Sequence, residues 1–319
     1  MAATTKNILI FGGTGLIGHH ITNTILNNKD KFGRIAIFTS NNTFSTKSGE
    51  IDALKARGAE IVVGDTASRS DVNEAYNGFD TVVSCLGRPV IDKQLRLIEL
   101  ADEHPDIKRF FPSEYGTDIE YWESSAHEKP HQQKLKVRAL LKTTKNLEYT
   151  YVVTGPYGDA DGLLYLAAKK PEDEAEGSFD VKRSRAVLLG DGKGRISLTT
   201  MRDVGKLVVA ALLHPEPVEN KAIHVNSFTA TPEEIVAEFE KQLGTKWDVA
   251  YTSLDKLEQL EKEAWAKELP KAGTITLRRI WTSGGTLYEK RDNHLIGMED
   301  EVDSLADAVR QAIAVQKGS

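Results

Sequence analysis

The chain has 319 residues, 40% of them hydrophobic and 28% charged, with a formal net charge of -6. That length suits one large α/β domain or a nucleotide domain with a smaller companion, and the acidic balance argues against a nucleic-acid partner. A single cysteine, Cys85, excludes an intrachain disulfide.

The first half alternates short apolar runs with helix-like segments. Strands are expected at Asn7–Phe11, Ile35–Thr39, Glu60–Val63, Thr81–Leu86, Lys108–Phe111 and Tyr149–Val153. Helical or polar stretches lie between them, near 16–28, 48–57, 68–77, 90–103 and 131–145. Near-continuous apolar strands separated by helices predict a doubly wound α/β fold, a parallel sheet covered on both faces. Cys85 falls in one of these runs and reads as a small buried hydrophobe. No apolar run reaches the ~18 residues of a membrane span, and the N-terminal MAATTKNILIF lacks a signal-peptide pattern. The expectation is a cytoplasmic protein with no membrane and no nucleic acid among its partners.

FGGTGLIG (11–18) follows the first strand and opens an amphipathic helix. Gly12 permits the tight turn, Gly15 lets the backbone approach a pyrophosphate, and Gly18 lets the helix pack close to the strand. Gly12, Thr14, Gly15, Leu16, Ile17 and Gly18 are therefore expected to bind a dinucleotide. The second strand ends Phe38-Thr39-Ser40-Asn41, without the acid that holds the ribose of NAD. Thr39, Ser40 and Asn41 can instead hydrogen-bond a 2′-phosphate and Lys47 can supply charge, which favours NADP(H). Asp65, after the third strand, suits either an adenine contact or a helix cap.

HEKPHQQK (127–134) contains H-E-x-x-H, the spacing of a helical zinc site. Pro130 breaks helical bonding between the two histidines and suits a helix start, so no metal site is expected. His131, in the first turn, reads as an exposed polar residue in preference to one facing a cleft. Further along the same helix, Lys134 borders the apolar stripe of Val137, Leu140, Leu141 and Thr144, whereas Lys136 points to solvent. Lys134 is either snorkelling or serving a partly buried site as a proton donor. The one Tyr-x-x-x-Lys match, Tyr165 to Lys169, comes one crossover too late for the usual dehydrogenase pair and reads as chance within a helix.

The second half is less regular. Residues 169–186 are highly charged and predict an exposed excursion; LLGDGKGRISLTT reads as two strands around an Asp191-Gly192 turn. MRDVGKLVVAALLHP predicts a helix stopped by Pro215, and KAIHVNS another strand. TPEEIVAEFEKQLG carries an N-cap at Thr231, proline at the first helical position, a capping box through Glu234 and a C-cap at Gly244. Residues 254–280 and 302–316 read as helical. Residues 1–155 plus about 195–228 are assigned to the dinucleotide domain. About 156–194 plus 229–319 are assigned to a smaller α/β substrate lobe.

Taken in order, GGTGLIG, FPSEYG (111–116), KLKVR (134–138), EYTYVVTGPY (148–157), LLGDGKGRISLTTMRDVG (188–205) and NKAIHVNSF (220–228) resemble the isoflavone reductase-like family of atypical short-chain dehydrogenases. That group includes phenylcoumaran benzylic ether reductases and belongs to the wider NmrA-like set. The resemblance implies an NADPH-dependent reductase whose catalytic lysine falls on Lys134. It places Leu86, Gly87 and Ser113 beside the nicotinamide, with Thr154, Pro156 and Tyr157 on the next strand end. The family's usual arginine at the end of the second strand is replaced here by Phe38-Thr39-Ser40, while Lys47 matches a family lysine. A small aromatic or conjugated substrate is expected, carried by a monomer or homodimer. Tyr157, Trp265 and Trp281 are candidates for the pocket wall, though core packing suits each of them. The rival is a non-enzymatic NADP-sensing regulator of the NmrA type that binds protein partners.

Overall fold

The computed structural model describes residues 2–162 and 164–318. Among the described residues, twelve strands form in chain order: β1 (Ile8–Phe11), β2 (Ile35–Thr39), β3 (Glu60–Val63), β4 (Thr81–Ser84), β5 (Arg109–Phe111), β6 (Glu148–Val153), β7 (Ser178–Asp180), β8 (Arg185–Leu189), β9 (Ile196–Leu198), β10 (Lys221–His224), β11 (Phe228–Ala230) and β12 (Asp248–Thr252). The helices are α1 (Leu16–Asn27), α2 (Asn41–Thr46), α3 (Ser48–Ala56), α4 (Arg69–Tyr76), α5 (Lys93–Glu103), α6 (Gln132–Leu141), α7 (Met201–Leu213), α8 (Pro232–Leu243), α9 (Leu254–Ala266), α10 (Ala272–Thr282) and α11 (Leu305–Gly318).

Seven strands make one parallel sheet in the order β10-β6-β5-β4-β1-β2-β3. The doubly wound α/β expectation is borne out. The pleat explains why β1 is apolar throughout. Ile8 and Ile10 join a core with Ile21 of α1 and Leu207 of α7, and Leu9 and Phe11 join one with Val72 of α4, Leu97 of α5 and Val137 of α6. Chain order reverses between β1 and β4. Their carboxyl ends diverge there and open the crevice where ligands of such sheets bind.

β11 pairs with β9, while β7, β8 and β12 form a separate three-stranded sheet. Its core collects Phe179, Leu188, Phe239 and Trp281. α8 has the capping box of Thr231 and Glu234, and Gly244 adopts the left-handed C-cap (φ 64°). No helix of the described residues is long and apolar enough to cross a membrane.

One expectation for the second half fails, for 169–186, and two others hold only in part. β8 and β9 do form around Gly192, but they do not pair: β8 lies between β7 and β12, and β9 pairs with β11. The connection between them is too long for a two-residue hairpin, so sheet partners come from elsewhere in the chain. Residues 169–186 are not an exposed excursion. Lys169 and Glu176 are buried and joined by an ion pair of 2.8 Å, and Phe179 enters the core. The 254–280 helix is broken into α9 and α10. Glu268 takes a positive φ of 52° and Pro270 follows, which together end one helix before the next begins.

Candidate active site

A cavity of about 380 Å³ lies at the carboxyl ends of β1, β4, β5 and β6. Each strand is followed by a loop that forms part of its wall. Gly15, Leu16 and Ile17 come from the start of α1, Leu86, Gly87 and Arg88 from the loop after β4, and Ser113 to Thr117 from the loop after β5. Pro156 and Tyr157 follow β6, Tyr165 comes from the segment beyond, and Leu277 and Trp281 come from α10.

The glycine loop is built for close approach. Gly12 has a φ of 75°, and a methyl group at Gly18 would stand 2.0 Å from the Gly12 carbonyl oxygen. Gly15 is the N-cap of α1, with no side chain capping the first turn and no acidic residue in it. The first-turn amides and the positive helix end are thus left for an anion, which fits a pyrophosphate. Gly18→Ala is expected to cost about 1–3 kcal/mol of stability and to weaken dinucleotide binding, because α1 must shift off the loop. Thermal denaturation and a dinucleotide titration check this.

The residues expected around a 2′-phosphate stand next to this loop without lining the cavity. Lys47 Nζ donates to the Thr14 carbonyl, which draws the lysine over the glycine turn. Ser40 caps α2 by accepting from the Thr43 amide (3.2 Å), and Asn41 is the first residue of that helix. The Thr39 hydroxyl at the end of β2 is buried with no partner among the described residues. Asp65 accepts from the Ala67 amide (2.9 Å) and does not cap α4, a role taken by Ser68. Gly12, Thr14, Gly18 and Thr154 do not line the cavity. Thr154 is buried and its carbonyl accepts from the Thr199 hydroxyl (2.6 Å).

Lys134 projects into the cavity from the first turns of α6 and is only 8% exposed. The helix buries Lys134, Val137, Arg138 and Leu141 on one face and leaves Lys136 in solvent. Lys134 Nζ donates to the backbone carbonyl of Glu114. Burial, reinforced by the nearby Arg88 and Arg138 charges, brings its pKa down to about 8, against the opposing pull of Glu114 and Asp118. An ammonium so placed exchanges its proton near neutral pH.

One turn further, Arg138 is held in a buried network that sequence reasoning missed. Its guanidinium makes a two-pronged contact with Glu114 (3.0 Å for each bond) and reaches Asp118 (2.9 Å) and Glu120 (3.0 Å). It also lies 4.6 Å over the Tyr151 ring. Asp118 accepts a 2.6 Å hydrogen bond from His224. Burial works against the charge on Asp118, but the His224 bond and Arg138 outweigh it and hold the carboxyl well below its ordinary range. One signal was available. An arginine on the same helical face as Val137 is seldom buried without a partner, and a carboxylate such as the acid of FPSEYG is the usual one.

His131 departs from the expected exposed position: it is fully buried, with Nδ1 donating to the Ser125 carbonyl at 2.9 Å. Burial first, then the neighbouring cations, lowers its pKa and favours the neutral ring. His127 ends a separate 3₁₀ turn (Glu123–His127), so the two histidines of H-E-x-x-H do not share a helix. Tyr165 and Lys169 do not share one either, since the described residues form no helix between β6 and Glu174. Tyr165 lines the cavity while Lys169 is committed to Glu176. Trp281 also lines the cavity, with its indole N–H donating to Thr117 (2.7 Å). Trp265 lines a separate shallow groove beside Lys129 and Arg279. The Tyr157 hydroxyl donates to the Tyr115 carbonyl, and Cys85 is buried.

Comparison with known proteins agrees with this architecture. The model of the NmrA-like family matches residues 4–280. Isoflavone reductase of Pisum sativum is 28% identical, covering 84% of this chain and 84% of that protein. A phenylcoumaran benzylic ether reductase of Pinus taeda is 28% identical over 77% of this chain and 78% of its own length. An oxidoreductase of Aspergillus flavus is also 28% identical, covering 82% of each chain. Among solved structures, the leucoanthocyanidin reductase–NADPH complex of Vitis vinifera superposes with a TM-score of 0.80 at 21% identity, over 97% of this chain and 99% of that one. The chain belongs to the NmrA-like family, with isoflavone reductases and phenylcoumaran benzylic ether reductases among its relatives.

Proposed function

We propose that this protein is an NADP(H)-dependent reductase of a small aromatic or conjugated molecule, such as an enone, a ketone or a benzylic ether that opens to a quinone methide. The observation that carries the reading is Lys134: a buried lysine with a pKa near 8, facing an apolar cavity beside an open glycine loop. The names of the relatives, reductases and an oxidoreductase, support the same reaction class.

Bound reduced nicotinamide would supply the hydride. The amides at the start of α1 would receive the pyrophosphate, with Gly12, Gly15 and Gly18 keeping side chains out of its way. Lys47, Ser40 and Asn41 would hold the 2′-phosphate, consistent with the lack of an acid at the end of β2. Leu86, Gly87, Ser113, Pro156 and Tyr157 would border the nicotinamide. Lys134 would act as general acid, passing its Nζ proton to the oxygen that becomes negative as the substrate carbon is reduced. The hydrogen bond from Nζ to the Glu114 carbonyl fixes the direction in which that proton is offered. In this reading residues 1–155 and 195–228 bind the dinucleotide, and residues 156–194 and 229–319 supply the substrate lobe.

The experiment is NADPH oxidation by purified protein across a panel of enones, aryl ketones and benzylic ethers. Turnover of at least one class is expected. Tight NADPH binding with no oxidation across the panel would instead favour the rival NADP-sensing regulator. For the cofactor, NADPH at 100 times its Kd should stabilise the fold by about 2.7 kcal/mol. A smaller thermal shift is expected with NADH at the same concentration, and an equal or larger one would overturn the NADP assignment.

A further inference from the structure

Tyr165 belongs to a motif that the proposed chemistry does not use. Its partner by spacing, Lys169, is turned away into a buried ion pair with Glu176. The tyrosine itself is 3% exposed and lines the same cavity as Lys134. Its ring is gripped on several sides. Phe179 and Trp281 lie with centroids 6.0 Å away, and the Arg278 guanidinium sits 5.6 Å over the ring. Arg278 is in turn fixed by the Gly177 (3.1 Å) and Leu164 (3.0 Å) carbonyls.

The hydroxyl of this well-held ring makes no hydrogen bond to any described residue. Two other wall groups are already engaged: Lys134 donates to Glu114 and Tyr157 to Tyr115. The partnerless tyrosine hydroxyls sealed inside the protein are those of Tyr115 and Tyr151, so the Tyr165 oxygen keeps an open side, and the cavity is the open space it borders. A largely buried polar group costs stability unless water or ligand satisfies it. Burial raises the phenol to about 12, so it is a protonated donor throughout the neutral range.

We propose that the Tyr165 hydroxyl is the specificity-determining donor of the cavity, binding an oxygen of an aromatic substrate on a different wall from the Lys134 ammonium. The inference rests on the reductase reading for the identity of the cavity as a substrate site. It assigns the substrate two oxygens or more: one at the reacting centre facing Lys134, and a second that Tyr165 reads. Because the ring is held by Trp281, Phe179 and Arg278, the hydroxyl is offered at a fixed place with little ordering cost on binding.

The test uses chalcone and 4-hydroxychalcone, which differ by one aromatic hydroxyl. Binding is followed by tryptophan fluorescence of the full chain saturated with NADP⁺, where no reduction occurs. The protein is expected to bind the hydroxylated probe about ten-fold more tightly, the worth of one hydrogen bond to a neutral group. Tyr165→Phe is expected to abolish that preference without changing NADP⁺ affinity. Equal binding of the two probes, binding of neither, or a preference that survives in Tyr165→Phe would overturn the inference. So would equal weakening of both probes by the substitution, since that reports lost packing. A proton-donor role for Tyr165 would appear as a fall in kcat for reduction of chalcone itself, and it too would overturn the inference. Discrimination by Tyr165 with no NADPH oxidation on any substrate would retire the reductase reading alone.

Discussion

Replacing Lys134 with methionine is expected to lower kcat by about 10²- to 10⁴-fold, the usual worth of a positioned proton donor, with NADPH affinity changed far less. Methionine keeps much of the apolar stem and removes only the ammonium that donates to the Glu114 carbonyl. Steady-state kinetics and an NADPH titration separate the two quantities, and a kcat within two-fold of the parent would sink the assignment. The pH profile gives an independent reading. Lysine acts as an acid only while protonated, so with a pKa near 8 the reductive kcat should fall on the alkaline side with a midpoint there, and the variant should lack that limb. Stability carries the opposite sign. The folded-state pKa is depressed from 10.5, so between about 8 and 10.5 the unfolded chain holds a proton that the folded one has lost. The wild-type protein should therefore gain stability relative to Lys134→Met as pH rises through that window, measurable as a widening gap in urea midpoints.

Arg138→Met is expected to destabilise the fold by about 3–5 kcal/mol, the cost of breaking a buried ion network from one side. The substitution strands the Glu114 and Asp118 carboxylates, both buried, with no guanidinium between them. Urea denaturation at neutral pH measures the loss. Glu114→Gln combined with Arg138→Met should cost less than the sum of the single changes, since the second substitution removes a charge the first had orphaned; strict additivity would mean that the two residues do not interact. Whatever Arg138→Met remains folded should also turn over more slowly. The loop that presents the Glu114 carbonyl to Lys134 is held by the same carboxylate–guanidinium contact.

What the sequence disclosed followed from locality. The glycine loop, the apolar strands and the exposed face of α6 are set by residues within a few positions of one another, and periodicity reads them directly. Pro130 likewise separates His127 from His131 through its own backbone. What escaped depended on distant partners. β8 and β9 flank a turn but choose β7, β12 and β11, a choice no local pattern encodes. The 169–186 stretch looked solvated because its charges were counted singly, whereas Lys169 and Glu176 neutralise one another in the interior. His131 looked polar and exposed because its acceptor is a backbone carbonyl, invisible to composition. Arg88 carried no signal at all: it reaches the cavity wall and the Pro130 carbonyl (2.9 Å) only through the crossing of two loops.

The anchor of Lys134 is a main-chain oxygen, and this separates two properties that enzymes usually change together. No codon change at position 114 deletes the acceptor, because every amino acid brings the same carbonyl. The side chain at that position, however, governs the charge felt by the ammonium. Glutamine in place of Glu114 would keep the main-chain acceptor and withdraw a negative neighbour that now holds the lysine's pKa up, while weakening the two-pronged Arg138 contact that holds the loop. Under the proposed mechanism the side chain at 114 therefore acts twice, on the charge beside Lys134 and on the grip of the loop, while the acceptor itself stays in the main chain.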